Sequence, residues 1–432
     1  MSRGLTHDTA SDWFGQPRGL TVLFLTEMWE KFSFYGMRAL LVYYMTKQLM
    51  IAQQQASILY GLYTAFVYLT PIAGGIVADR WLGRRRAVVI GGSIMALGHF
   101  MMAFEPLFLL ALATIAIGNG LFLPSLPGQI EGLYGPSDPR RKNAYNIYYV
   151  GINLGAFLAP LACGFLGETY GWHWGFGAAG LGMVAGLAVY IAGGRYLPAD
   201  PVRAAVRAEP AASRDLVKSR FAILLAVMAA VVLFRIAYEQ MGNTVALWID
   251  TDIDRGIGAG VEIPMTWFQS LNPLLVFALT PLLLAFWMAR EKNKRPIPTA
   301  RRMAMGAGVV ALAYLLAAAL SLSVLGDARA GWPWLLLFFL IMTAGELQIL
   351  PVGLGLFGRL APAGYAATAI ATWFFAGFAG NLLAGLFGSL WTALGAPVFF
   401  LLAGFVAGAS ALALLCLNGA VVRAEAAAEV LR

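Results

Sequence analysis

Apolar residues run through this chain in long blocks, separated by short polar or basic stretches. Twelve blocks are about 20 residues or longer, the length a helix needs to cross the hydrocarbon core of a bilayer. They lie near 20–46, 53–79, 86–104, 107–133, 142–168, 174–194, 220–249, 266–289, 300–322, 333–358, 365–392 and 396–419. The pattern predicts an all-α membrane protein with twelve transmembrane helices. Pro124, Pro127, Pro160, Pro273, Pro281 and Pro351 fall inside blocks and are expected to bend or loosen them. Small residues four apart, such as Gly151 with Gly155 and Gly182 with Gly186, predict close helix contacts.

Composition agrees with a bilayer as solvent. Of the 432 residues 60% are hydrophobic and 12% charged, where soluble domains carry about 25% charged. The first 19 residues are polar, with Arg3, Asp8, Asp12 and Arg18. They lack the apolar core of a cleaved leader, so the first block is expected to remain as a span. Cys163 and Cys416 both sit in apolar blocks, which implies no disulfide framework or metal site.

The net charge of +8 would suit nucleic acid until the basic residues are sorted by loop. With both termini on the cytoplasmic side, 24 of the 30 Lys and Arg residues fall in the cytoplasmic loops and tails. They cluster at Arg80, Arg84–Arg86, Arg140–Lys142, the 195–220 region (Arg195, Arg203, Arg207, Arg214, Lys218, Arg220), 290–302 and the C-terminus. Only Lys47, Arg255 and Arg329 fall on the other side. Topology therefore accounts for the charge, and no nucleic-acid partner is expected. Residues 195–219 have no apolar run and read as a cytoplasmic linker. The division is a tail 1–19, a first six-helix bundle 20–194, the linker, a second bundle 220–419 and a tail 420–432. That is the layout of major facilitator transporters, whose site lies between the halves near the membrane midplane.

Three basic and four acidic residues are expected at depth, where an ionisable group costs on the order of 2.5–3.5 kcal/mol and usually marks function. On the first helix Glu27, Glu30 and Lys31 share one face, and Arg38 follows three turns on. The seventh carries Arg235 and Glu239, and the tenth carries Glu346. Four acids against three bases leave one carboxylate short of a cation, the condition that favours holding a proton. A purely structural ion ladder is the alternative reading. Tyr63, Tyr68, Asn153, Asn272, Trp373 and Asn381 are further polar or amphipathic residues inside apolar blocks, suited equally to substrate contact and to helix–helix bonding. His99 stands alone, and no catalytic set is visible, so the chain is not expected to be an enzyme.

Glu27-x-x-Glu30-Lys31-Phe32-x-Phe34-Tyr35-Gly36 resembles the helix 1 motif E-x-x-E-R-F-x-Y-Y-G of the proton-coupled oligopeptide transporters, a family of the major facilitator superfamily. Gly75-x-x-x-Asp79-Arg80-x-x-Gly83-Arg84-Arg85 resembles the superfamily's loop after helix 2. Tyr148-Tyr149-Val150-Gly151-Ile152-Asn153-Leu154-Gly155, Tyr238-Glu239-Gln240, Asn272-Pro273 and Gly345-Glu346-Leu347 with Pro351 are similar to the family's patterns on helices 5, 7, 8 and 10. The resemblance runs from about residue 20 to 395. It implies symport of di- and tripeptides with protons into the cytoplasm, with no cofactor or metal beyond the proton. Carried over by position, Glu27, Glu30 and Lys31 form the proton-coupling group. Arg38 receives the peptide carboxylate and pairs with Glu239 as a gate. Glu346 with Asn153 and Asn272 holds the amino group, and Tyr35, Tyr68 and Trp373 line the pocket. The resemblance also implies an integral protein of a bacterial inner membrane, expected to be a monomer in the lipid bilayer.

Departures bear on that picture. Leu123 stands where the family has a lysine that partners the helix 10 glutamate, so Glu346 is expected to lack that cation. Lys31 replaces an arginine and loses its bidentate geometry, and Phe34 replaces a tyrosine. The linker has no room for the two extra helices of many bacterial members. Leu123 keeps open transport of another small solute, an amino acid conjugate or anion, with altered coupling.

Overall fold

In the computed structural model, residues 15–135, 138–200, 214–293, 295–323 and 329–430 are described. Arg3, His7, Asp8 and Asp12 of the tail, Arg203 and Arg207 of the linker, Lys294 and Arg432 lie outside them. The described chain is helical apart from loops and a two-residue parallel pairing of Ile253–Asp254 with Ala330–Gly331, which the apolar pattern did not foresee.

The helices of the first half are α1 (Arg18–Tyr43), α2 (Gln53–Val77), α3 (Arg84–Met101), α4 (Phe108–Ser125), α5 (Arg141–Ala159), α6 (Phe165–Tyr170) and α7 (Trp172–Ala192). The second half has α8 (Arg214–Tyr238), α9 (Thr244–Thr251), α10 (Leu271–Lys292), α11 (Thr299–Ser323), α12 (Pro333–Glu346), α13 (Leu350–Leu360), α14 (Ala366–Gly388) and α15 (Trp391–Val430). Taken with the short turns that extend them, ten stretches among the described residues are long and apolar enough to cross a membrane. The two expected spans that fall short are α1 and α3. Glu27, Glu30, Lys31 and Arg38 lower the first, and Arg84–Arg86 fill the first turn of the second.

Of the prolines expected to loosen spans, Pro160 and Pro351 sit at breaks, while Pro281 lies inside the continuous α10. A π turn at Pro160–Gly164 joins α5 to α6, and Pro351 sits in the first turn of α13, just after α12 stops. A third break has no proline: α8 ends at Tyr238 and passes through a tight turn, Glu239–Gly242, into α9. The last helix is longer than its apolar block. It starts at Trp391, kinks at Gly395 (φ 71°) and continues to Val430, past the predicted end at 419.

Within the first half α1 packs on α5 and α7, α3 on α4 and α7, and α2 on α4. Within the second, α11 packs on α12 and α15, and α8 on α14 and α15. The halves meet along α2 with α14 and α5 with α10. At the first seam Gly61 faces Gly385. A Cβ on Gly61 would come within 2.6 Å of the Gly385 nitrogen, so only glycine allows this approach. Large apolar side chains such as Leu109, Leu181, Leu282 and Phe405 stay exposed on the outside, as lipid-facing residues do.

Hydrogen bonds between the halves gather at the end away from the Arg80–Arg86 loop. Lys47 Nζ lies 2.7 Å from Asp250, and the Tyr43 hydroxyl donates to the Ala246 carbonyl at 2.8 Å. Ser57 donates to Asn243 at 2.9 Å, and Gln53 to the Gly388 carbonyl at 2.9 Å. The Glu168 carboxylate accepts the backbone N–H groups of Met265 (2.9 Å) and Thr266 (3.0 Å).

Candidate functional site

Between the halves lies a cavity of about 200 Å³, bounded by Tyr35 and Arg38 of α1, Tyr149 and Asn153 of α5, Tyr238 and Glu239 at the end of α8, Asn272 of α10 and Glu346 of α12. A second cavity of about 200 Å³ shares Tyr35 and Arg38 and continues past Lys31, Thr64, Tyr68, Asn119 and Leu123. The first cavity is walled by both halves and the second by α1, α2 and α4 of the first half, and the charges at depth line them or lie against them.

The charges divide into three groups. In the first, Lys31 Nζ is 2.7 Å from Glu30 Oε2 and 3.4 Å from Glu27 Oε1. One cation thus serves two buried carboxylates. Glu27 gains a further partner, the Tyr148 hydroxyl, which donates at 2.6 Å from α5. Glu30 is fully buried, and Lys31 is its close partner; its oxygens accept no well-aligned hydrogen bond among the described residues. In the second group one carboxylate serves two cations. Glu239 accepts from Arg38 at 2.7 Å across the halves and from Arg235 at 2.9 Å one turn back on α8. Arg38 also donates to the Tyr60 hydroxyl at 2.7 Å, and the Arg235 guanidinium lies 4.9 Å from the Tyr68 ring centroid.

The third group has no cation at its centre. Glu346 accepts from the neutral amide of Asn272 at 2.6 Å, and the Tyr238 hydroxyl bonds to it as well. Asn272 donates in addition to Thr343 at 3.0 Å. Glu346 is the last residue of α12, where unpaired carbonyls gather partial negative charge. Both the carboxylate and the helix end therefore favour a cation here. The group of Arg38, Arg235 and Glu239 carries the opposite surplus; Arg38 from the first half and Glu239 from the second line the same cavity, and Arg235 stands behind them.

Several expectations meet these positions. Arg38 and Glu239 are paired across the halves, and Glu27, Glu30 and Lys31 form one cluster. Asn153 and Asn272 both face the cavity of Glu346, although the Asn153 amide is spent on the Tyr149 carbonyl at 3.0 Å. Among the described residues no lysine pairs with Glu346, whose hydrogen bonds come from the neutral Asn272 and Tyr238. Leu123 faces the second cavity, on the wall with Lys31. Trp373 departs from its expected position: it lines neither cavity. It is buried with its ring 5.2 Å from Phe357 and its edge over Gly353, a position where a large apolar ring fits against a glycine.

The apolar pattern gave no role to Tyr60, Thr64, Tyr148, Tyr149 or Gln269, which bound or brace the site. Tyr60, Thr64 and Tyr68 are spaced four apart on α2, a helical stripe that pointed inward. Tyr63, named with Tyr68 from the sequence, lies off that stripe with its hydroxyl buried and without a hydrogen-bond partner among the described residues. No group of metal-binding side chains occurs among the described residues.

The sequence profile of the POT family (PTR2) matches residues 85–213 and 203–396. The chain belongs to the POT family. It is 32% identical to the peptide transporter YePEPT of Yersinia enterocolitica, over 87% of this chain and 88% of that one. It is 31% identical to a di-/tripeptide transporter of Lactococcus lactis, over 85% and 88% of the two chains. A mutant POT peptide transporter solved in complex with alafosfalin superposes with a TM-score of 0.88 at 29% identity, covering 97% of this chain and 98% of that one. Membership of this family makes the chain an integral membrane transporter rather than an enzyme.

Proposed function

We propose that this protein carries di- and tripeptides with protons into the cytoplasm by alternating access. Twelve spans form two six-helix bundles, 20–194 and 220–419, joined by the linker 195–219, with both termini in the cytoplasm of a bacterial inner membrane. The observation that carries the reading is one cavity lined both by Arg38, paired with Glu239 that Arg235 also neutralises, and by Glu346, held by neutral donors. A peptide zwitterion has a carboxylate at one end and an ammonium at the other. The Arg38–Glu239–Arg235 group suits the carboxylate, through charge-assisted hydrogen bonds. Glu346, at its helix end with Asn272, suits the ammonium. Side chains between the ends meet Tyr35, Tyr149 and Phe339, which set no charge requirement.

Protons enter through the other cluster. Glu27, Glu30 and Lys31 hold two buried carboxylates against one cation beside the second cavity, so a proton on one acid removes the surplus. The Arg38–Glu239 pair serves as a gate: breaking it separates α1 from α8 where the halves are joined. Uptake of a labelled dipeptide into proteoliposomes tests this. Accumulation above the outside concentration under an inward proton gradient, lost with an uncoupler, is expected. Equilibration without accumulation would contradict the coupling. A second reading, transport of another small anion or amino acid conjugate, draws on Leu123 in the cavity wall. Competition by such a solute, but by no dipeptide, would favour it.

A further inference from the structure

The half of α10 near the basic loops is poorly covered. Only 17% of its most apolar stretch is buried, against 39–56% in the other nine candidate spans. Between it, the first turn of α11 and α13 lies a cleft of about 740 Å³ that shares no lining residue with the two transport cavities. Leu283, Leu284, Leu347 and Val352 form its apolar wall, and Arg302 and Arg359 stand at its polar rim. The wall runs on into the exposed face of α10 at Leu282, Phe286 and Met288.

Unused hydrogen-bond donors concentrate here. Thr280 Oγ1, Trp287 Nε1, Arg290 Nε and Arg302 Nε are all buried without a hydrogen-bond partner among the described residues. Thr280 and Arg302 line the cleft, and Trp287 and Arg290 lie beyond it on α10; each is a group that can donate, desolvated without compensation. The Arg302 guanidinium lies 4.4 Å from the Trp287 ring centroid, which fixes it at the mouth of the cleft. Arg359 is held at 2.9 Å by Glu425. Glu291 is the other acid on the rim. Lys292, Arg295 and Arg301 add positive charge close by in the sequence.

We propose that this cleft binds the headgroup of an anionic glycerophospholipid from the leaflet beside the basic loops. Arg302 receives the phosphate, and the acyl chains lie along the exposed face of α10. Basic pockets between helices at a membrane surface suit such headgroups, and tryptophan is at home at that depth. The apolar wall distinguishes lipid from free phosphate, which would gain nothing from it. The surrounding cations distinguish an anionic headgroup from choline. The proposal is independent of the peptide reading, because no residue of the cleft lines the transport cavities.

Native mass spectrometry of the full chain in detergent, titrated with phosphatidylglycerol or phosphatidylcholine, tests it. Phosphatidylglycerol is expected to be retained more tightly. Arg302→Gln should weaken it about fivefold, the effect of one basic residue near a membrane surface, and leave phosphatidylcholine unchanged. Glu291→Gln should strengthen it, which keeps the test open if Arg302→Gln fails to fold. Equal retention of the two lipids would overturn the proposal, as would indifference to both substitutions. Displacement of phosphatidylglycerol by millimolar inorganic phosphate would overturn the lipid assignment by showing a free-phosphate site.

Discussion

Glu27 and Glu30 sit in the middle of an unbroken helix of 26 residues, while Glu239 and Glu346 each sit where a helix stops. In α1 the backbone is satisfied, and the carboxylates meet only side chains, Lys31 and Tyr148. At the ends of α8 and α12 the carboxylates meet side chains and the negative end of a helix dipole together. The two arrangements suit different cargo. A continuous helix with a shared cation is a closed local system that one proton can rebalance. A broken helix beside a cavity exposes polar backbone to a solute, and at the end of α12 an acid held by neutral donors, as the discontinuous helices of transporters do. In the proposed function the first arrangement takes the proton and the second holds the peptide amine.

The largest expected effect breaks the first side of that comparison. Glu30→Gln removes a titrating carboxylate and leaves its shape. Accumulation driven by a proton gradient should fall to background, while counterflow exchange of labelled for unlabelled dipeptide persists. Loss of both activities together would make Glu30 structural. Next, Gly155→Ala should move α1 itself, because a Cβ there would press on the Met28 carbonyl. Overpacking of this kind costs about 1–3 kcal/mol. It should appear as a lower melting temperature in detergent with weakened coupling, since Glu27 and its donor Tyr148 sit on the two helices that are pushed apart. A smaller effect is expected on the other side. Asn272→Ala leaves Glu346 with one fewer neutral donor, worth about 1.5–3 kcal/mol for a charged acceptor. Affinity for a free-amine dipeptide should change, with gradient-driven coupling of the peptide that still binds left intact.

Much of this was legible in the sequence because charge inside an apolar block is rare and conspicuous. The ladder on α1, the Arg235 and Glu239 spacing, and Glu346 all stood out on that ground. The apolar blocks also gave most helix limits. What was hidden depends on pairing between distant segments. Tyr148 meets Glu27 across 121 positions, and Arg38 meets Glu239 across 201. Only the family resemblance anticipated the second of these pairs. The break at Glu239 was invisible because it uses Gly242 and Asn243 in place of a proline. The phase of a helix that is apolar all round is equally hidden, so nothing in the sequence opposed the family resemblance that carried Trp373 to the pocket, where the structure packs it on Phe357.

The reading of both peptide ends by opposite charge surpluses is tested most directly by binding. The measurement is the affinity of a dipeptide, its C-terminal amide and its N-acetyl form for the wild type, Arg38→Ala and Glu346→Gln. Arg38→Ala is expected to weaken the dipeptide and its N-acetyl form but change the amide little. Glu346→Gln is expected to weaken the dipeptide and the amide but change the N-acetyl form little. Equal weakening of all three ligands by either substitution would contradict the assignment of the two ends.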